Sequence, residues 1–167
     1  DFLERSQVSL SDLVISPSVY MLSWAREQGW ELPQRAFVLP NPLSPSLLAW
    51  HQQLAAAGAL EPRRVPVSEV VFFGRLEALK GLFEFCDALD ELAGEVRAGA
   101  LPAFDVTFLG SPNLSGSLSA VDYVTQRARQ GQWPFAPRFL TDVQQPEAVS
   151  YLLAGRGRLA VLPSLAE

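Results

Sequence analysis

The chain has 167 residues, 49% of them hydrophobic and 19% charged. Ordinary globular chains carry about 25% charged residues, so this is a core-forming sequence and intrinsic disorder is excluded. Its 13 Lys+Arg against 18 Asp+Glu leave a net charge of −5, which excludes a general basic footprint for nucleic acid and a polybasic patch for anionic lipid. The single cysteine, Cys86, cannot form an internal disulfide, and one cysteine with one histidine is too few for a structural zinc site.

No apolar run reaches the length of a membrane span, and the opening DFLERSQ is not a signal peptide. With a lone cysteine, this gives the expectation of a cytoplasmic protein. The chain has no initiator Met, and its final RLAVLPSLAE reads as a strand followed by an unanswered loop. Both ends are therefore expected to be cut from something longer.

Taken in chain order, apolar runs predict strands over residues 12–16, 36–39, 69–73, 104–109, 137–140 and 158–162. Near-continuous runs such as Val70-Val71-Phe72-Phe73 and Leu159-Ala160-Val161-Leu162 suggest strands covered on both faces, as in parallel sheets. Ser16-Pro17 and Ser44-Pro45 place a capping serine before a proline at the first helical position, and Pro146 opens a helix over residues 147–154. Gly29 and Gly58 stand where left-handed C-terminal caps are expected. The clearest helix covers residues 81–97, with Leu82, Phe85, Cys86, Leu89, Leu92, Ala93 and Val96 on one buried stripe. Leu118, Val121, Val124 and Ala128 mark another. Prolines concentrate in residues 40–45 and 62–66, and residues 61–66 read as a linker. Beyond it, strands and helices alternate, the signature of a doubly wound α/β domain.

Residues 70–82, VVFFGRLEALKGL, carry the most chemistry. A buried strand ends at Gly74, a loop carries Arg75 and Lys80, and a helix opens near Gly81. A cation in the first turn of a helix costs about 0.3–1 kcal/mol. A bound anion reverses that sign, because amides, dipole, Arg and Lys then converge on one negative group, usually phosphate. The competing reading makes Arg75 and Lys80 solvated loop charges beside a packing glycine. The segment has neither the G-x-G-x-x-G of a dinucleotide site nor a P-loop. A second strand end, Gly110 followed by SPNLSGS, offers amides and hydroxyls to a phosphate, or else is a loop capped by Ser117. The third is the stretch from Val161 to Glu167, whose terminal carboxylate could accept hydrogen bonds from sugar hydroxyls.

These three junctions in this order resemble the group 1 (family 4) glycosyltransferases of GT-B fold. FFGRLEALKGL is similar to the family's strand, Gly-Arg, loop, Lys-Gly, helix motif. FDVTFLG is similar to its next strand ending in glycine. RFLTDV, AVSYLLAGRGRLAVLPSLAE is similar to the segment that ends in Pro-Ser-x-x-Glu. SDLVISPSVYMLSWAREQG and FVLPNPL resemble the end of the acceptor domain and the crossing between domains.

The resemblance implies a Rossmann-like parallel sheet with flanking helices, the truncated C-terminal half of a GT-B fold. Residues 1–43 would end the acceptor domain, 44–66 would form a helix and linker, and 67–167 an incomplete donor-binding domain. It implies a retaining transfer of a hexose from a nucleoside-diphosphate sugar to an unknown acceptor, with no cofactor and no metal. Arg75 and Lys80 would hold the diphosphate, Gly74 and Gly110 would line its pocket, and Glu167 would face the sugar. No catalytic residue is assigned within the chain, which alone is expected to be inactive. Nucleic acid is not an expected partner, and membrane contact is expected only through the missing part. The sequence departs from the family pattern at Asn41-Pro42 and at Thr141-Asp142. From another class, the alternative is a non-catalytic nucleotide- or phosphate-binding α/β module.

The remaining candidates have plainer readings. His51 has no partner for acid–base work in its segment and reads as a surface residue. Cys86 reads as a small buried hydrophobe. Asp87, Asp90, Glu91 and Glu95 read as a solvated acidic face, not a metal cage. Trp24, Trp30 and Trp50 read as packing residues ahead of sugar stacking.

Overall fold

The structure, a computed structural model, describes residues 2–42, 45–56, 58, 65–112 and 119–165. The chain divides into two units, Asp1–Gln52 and Gln53–Glu167. The first holds α1 (Phe2–Ser9), β1 (Val14–Ser16), α2 (Val19–Glu27) and β2 (Ala36–Val38), and α3 (Pro45–Ala56) runs across the division. β1 and β2 pair in parallel, with Val14 opposite Ala36. Helix α1 was not foreseen because it buries no residue and so leaves no apolar stripe to read.

The expected cap of α2 is corrected. Ser16 is the last residue of β1, and its hydroxyl donates to the Ser18 carbonyl at 2.9 Å. Ser18, in extended backbone, accepts the Met21 amide at 3.2 Å and is the N-cap. Proline 17 therefore lies outside the helix. Ser44 and most of the expected linker, residues 61–64, lie outside the described residues.

The second unit alternates as the sequence predicts: β3 (Glu69–Phe73), a 3₁₀ turn (Ala78–Lys80), α4 (Leu82–Arg97), β4 (Asp105–Leu109), α5 (Ala120–Gln130), β5 (Pro137–Leu140), α6 (Gln145–Ala154) and β6 (Arg158–Val161). All four strands are parallel, in the order β5-β4-β3-β6. This is an α/β fold with a Rossmann-like sheet. One face packs on α4 and α5 through Phe72, Phe85, Leu89, Phe108 and Val124. The other packs on α6 through Val71, Leu109 and Ala148. Phe72, Phe85 and Phe108 form a ring cluster with centroids 5.4–6.0 Å apart. Burying each such side chain stabilises the fold by about 1.5–3 kcal/mol.

Strands β3 and β4 are covered on both faces as expected, but β6 is not. Among the described residues it stands at the edge of the sheet with β3 as its neighbour, and its Leu159 is 48% exposed. A continuous apolar run reads the same for a central strand and for an edge one, which is why the sequence misled here. Among the described residues no helix is long and apolar enough to cross a membrane.

Candidate functional site

The strand order places a switch point between β3 and β6. From β3 the chain winds to β4 and β5, then returns through α6 to the far side of β3. In open α/β sheets of this order, ligands bind outside the carboxyl ends of the strands at the switch point. Three loops meet at this end, and backbone hydrogen bonds tie them together.

The loop after β3 is the hub. Gly74 donates its amide to the Leu109 carbonyl at 3.1 Å, and Leu76 donates to Ser111 at 2.9 Å. Gly110 in turn donates to Leu140 of β5 at 3.1 Å. On the other side, Leu165, in the loop after β6, donates to the Leu79 carbonyl at 3.1 Å. Buried Leu76 anchors the hub from beneath.

Gly74 and Gly110 lie next to each other for a steric reason. Gly110 has φ +148°, and a methyl group on it would overlap the Gly74 carbonyl oxygen and lie 2.7 Å from its carbon. The glycine that ends β4 thus makes room for the turn that ends β3, a need apart from any ligand.

Arg75 and Lys80 are both brought to this rim. Arg75 is 56% exposed and pairs with Glu77 at 2.9 Å, a carboxylate that is itself only 12% exposed. Glu77 was not among the expected site residues, although a Glu two residues after an Arg in a tight loop is a readable signal. Lys80 closes the 3₁₀ turn and is half-buried. It stands one residue before Gly81, the N-cap of α4. Lys80 therefore stands just ahead of the helix start, in the segment between β3 and α4 as expected, and Glu84 occupies the first turn and favours the dipole. The arrangement presents two cations and a helix start, with Glu77 balancing part of the charge.

Two predicted elements of the site cannot be placed. Glu167 and residues 113–118, including Ser117, lie outside the described residues. The cap of α5 is Ser119, which accepts the Asp122 amide at 3.1 Å.

Elsewhere, the acidic face of α4 is corrected in part. Arg127 of α5 grips Asp87 at 2.7 Å and Asp90 more closely, and Trp133 Nε1 donates to Asp90 at 2.5 Å. These carboxylates hold two helices together; Glu91 and Glu95 keep the solvated role. Among the described residues no group of three or more His, Cys, Asp and Glu side chains could hold a metal ion. His51 is exposed and Cys86 fully buried. Trp24 and Trp30 pack together at 5.8 Å within the first unit.

A buried polar cluster that the sequence did not reveal lies across β3, β4, β6 and α6. Glu69 accepts from Thr107 at 2.6 Å, from Arg158 at 2.5 Å and from the Tyr151 hydroxyl, and Arg158 stacks on the Tyr151 ring at 3.7 Å. Burial pushes the Glu69 carboxyl up, but these hydrogen bonds and the Arg158 charge outweigh it and hold its pKa below the usual value.

The chain is an α/β protein whose sheet order changes direction at β3, beside the turn that carries Arg75 and Lys80. No protein-family model matches the chain, and neither a curated protein nor a solved structure is similar to it at a significant level.

Proposed function

We propose that this chain is the donor-binding part of a retaining glycosyltransferase and binds a nucleoside-diphosphate sugar at the carboxyl ends of β3, β4 and β6. The observation that carries the reading is the convergence of three tied loops on the turn that bears Arg75 and Lys80, at the switch point of the sheet. In this reading the diphosphate lies over the start of α4. Lys80 and Arg75 neutralise it, and Arg75 exchanges its Glu77 partner for a phosphate oxygen. Fixed cations at a departing diphosphate stabilise the charge that develops as the bond to the sugar breaks. The group 1 pattern in FFGRLEALKGL and LPSLAE supports the choice of a sugar nucleotide over a simple phosphate.

Calorimetry and thermal shift against UDP-, GDP- and ADP-sugars test the reading. Binding of one of them, weakened at least tenfold by Lys80→Ala without an equal loss of stability, is the expected result. Absence of binding by all three classes, or equal loss of folding and binding in Lys80→Ala, would overturn it.

A further inference from the structure

We infer that Gly81 is a positioning residue of the proposed donor site, seating the loop after β6 on the turn that carries Lys80. The inference rests on the donor-site reading and adds a residue that touches no ligand. Gly81 is in the left-handed region at φ +74°. A methyl group there would overlap the Pro163 carbonyl oxygen, 2.8 Å from its carbon and 3.0 Å from the Pro163 Cβ. The loop after β6 therefore lies against the Gly81 Cα, where any side chain would displace it.

The same loop is fastened a second time. Leu165 donates its amide to the Leu79 carbonyl at 3.1 Å. The two contacts fall on the residues on either side of Lys80, so the backbone that carries this cation is held from before and after by one loop. That loop leaves β6, the strand paired in parallel with β3. The turn after β3 that bears Lys80 is thus fixed against the loop after β6, and the packing at Gly81 sets its distance from that loop.

Gly99, at the other end of α4, supplies the control. Its φ of +73° matches that of Gly81, and nothing lies within 4 Å of where its side chain would be. Alanine at Gly99 carries the left-handed backbone cost alone, whereas alanine at Gly81 carries that cost and the collision with Pro163. Two measurements on the chain then separate strain from seating: hydrogen exchange at the Leu165 amide, and calorimetric binding of inorganic pyrophosphate. Gly81→Ala should speed Leu165 exchange at least tenfold over Gly99→Ala and weaken pyrophosphate binding by a similar factor. If Gly81→Ala does not fold, Leu165→Pro removes the second fastening without touching Gly81 and should weaken pyrophosphate binding in the same way. Leu165 exchange equal in the two glycine variants would overturn the seating. Faster exchange with undiminished pyrophosphate binding would overturn the positioning role while leaving the donor site standing. Failure of the wild-type chain and of Gly99→Ala to bind pyrophosphate would overturn the positioning role together with the donor-site reading.

Discussion

Arg158 reaches across from β6 to Glu69 of β3, its register partner, and donates Nε to the carboxylate at 2.5 Å. Glu69 is buried and Arg158 half-buried beside Thr107 and Tyr151, so β6 is tied to β3 by a carboxylate whose hydrogen bonds are filled. Removing one partner of such a pair costs more than the pair is worth, because the other is left buried and uncompensated.

This gives a pH dependence of defined sign. The Glu69 pKa is lowered in the fold, so its contribution is complete above the ordinary carboxyl value near 4.5 and is lost as pH falls through the lowered native value. Chemical denaturation between pH 3 and 7 should show stability falling on the acid side. In Glu69→Gln that part of the slope should disappear, with a loss of about 2–4 kcal/mol at pH 7. An unchanged slope in the variant would assign the acid sensitivity to other carboxylates.

Cys86 should be silent toward thiol reagents. Its side chain is fully buried, and burial, against the opposing Arg127 charge and aided by Asp90 and Asp87, pushes its pKa up to about 12. Labelling with an aromatic disulfide at pH 8 should proceed only at the rate of unfolding, and denaturant should release a full equivalent at once. Rapid labelling of the native chain would contradict the burial.

Arg127 should matter for stability more through Asp90 than through Asp87. Asp87 is the more exposed of the two, and exposed pairs contribute about 0.2–1 kcal/mol. We expect Asp87→Asn to cost under about 0.5 kcal/mol and Arg127→Met about 1–2 kcal/mol. A double-mutant cycle between Arg127 and each aspartate measures the split, and a larger coupling to Asp87 would reverse this ranking.

Gly110→Ala should lower stability by about 1–3 kcal/mol, since it combines a disfavoured φ with overlap on the Gly74 carbonyl. Urea titration would show it. A neutral result would mean that the two strand ends can part freely.

The sequence disclosed the sheet well because its signals are local. Glu69–Phe73 and Pro137–Leu140 form strands over the residues expected, and the stripe from Leu82 to Ala93 is buried as its spacing requires. What stayed hidden depends on pairing across the chain. An apolar run does not say whether its strand is central, so β6 was read as covered when it is an edge. Glu69 looks like one more charged residue until Thr107, Tyr151 and Arg158 are brought to it. Arg127 likewise gives no sign that it faces two aspartates about 40 residues away. At the candidate site, Gly74, Arg75 and Gly110 were legible as residues at strand ends and Lys80 as the residue ahead of a helix start. The partnership of Arg75 with Glu77 and the seating of Pro163 on Gly81 were not, since both follow from how the loops are folded back.

The pairing of β3 with β6 also bears on how the molecule is built in time. Thr107 of β4 contacts Glu69 across 38 residues of chain, and Arg158 of β6 does so across 89. Closing the longer loop costs only about 0.7 kcal/mol more entropy, but the pairing also needs α6 folded beneath it, so distant parallel strands pair slowly. Pulse-labelled hydrogen exchange during refolding should find the amides of β3 and β4 protected before those of β6. The β3–β6 pairing would then be the last part of the sheet to exist, and the seat of Pro163 on Gly81 would be complete only in chains that have finished folding.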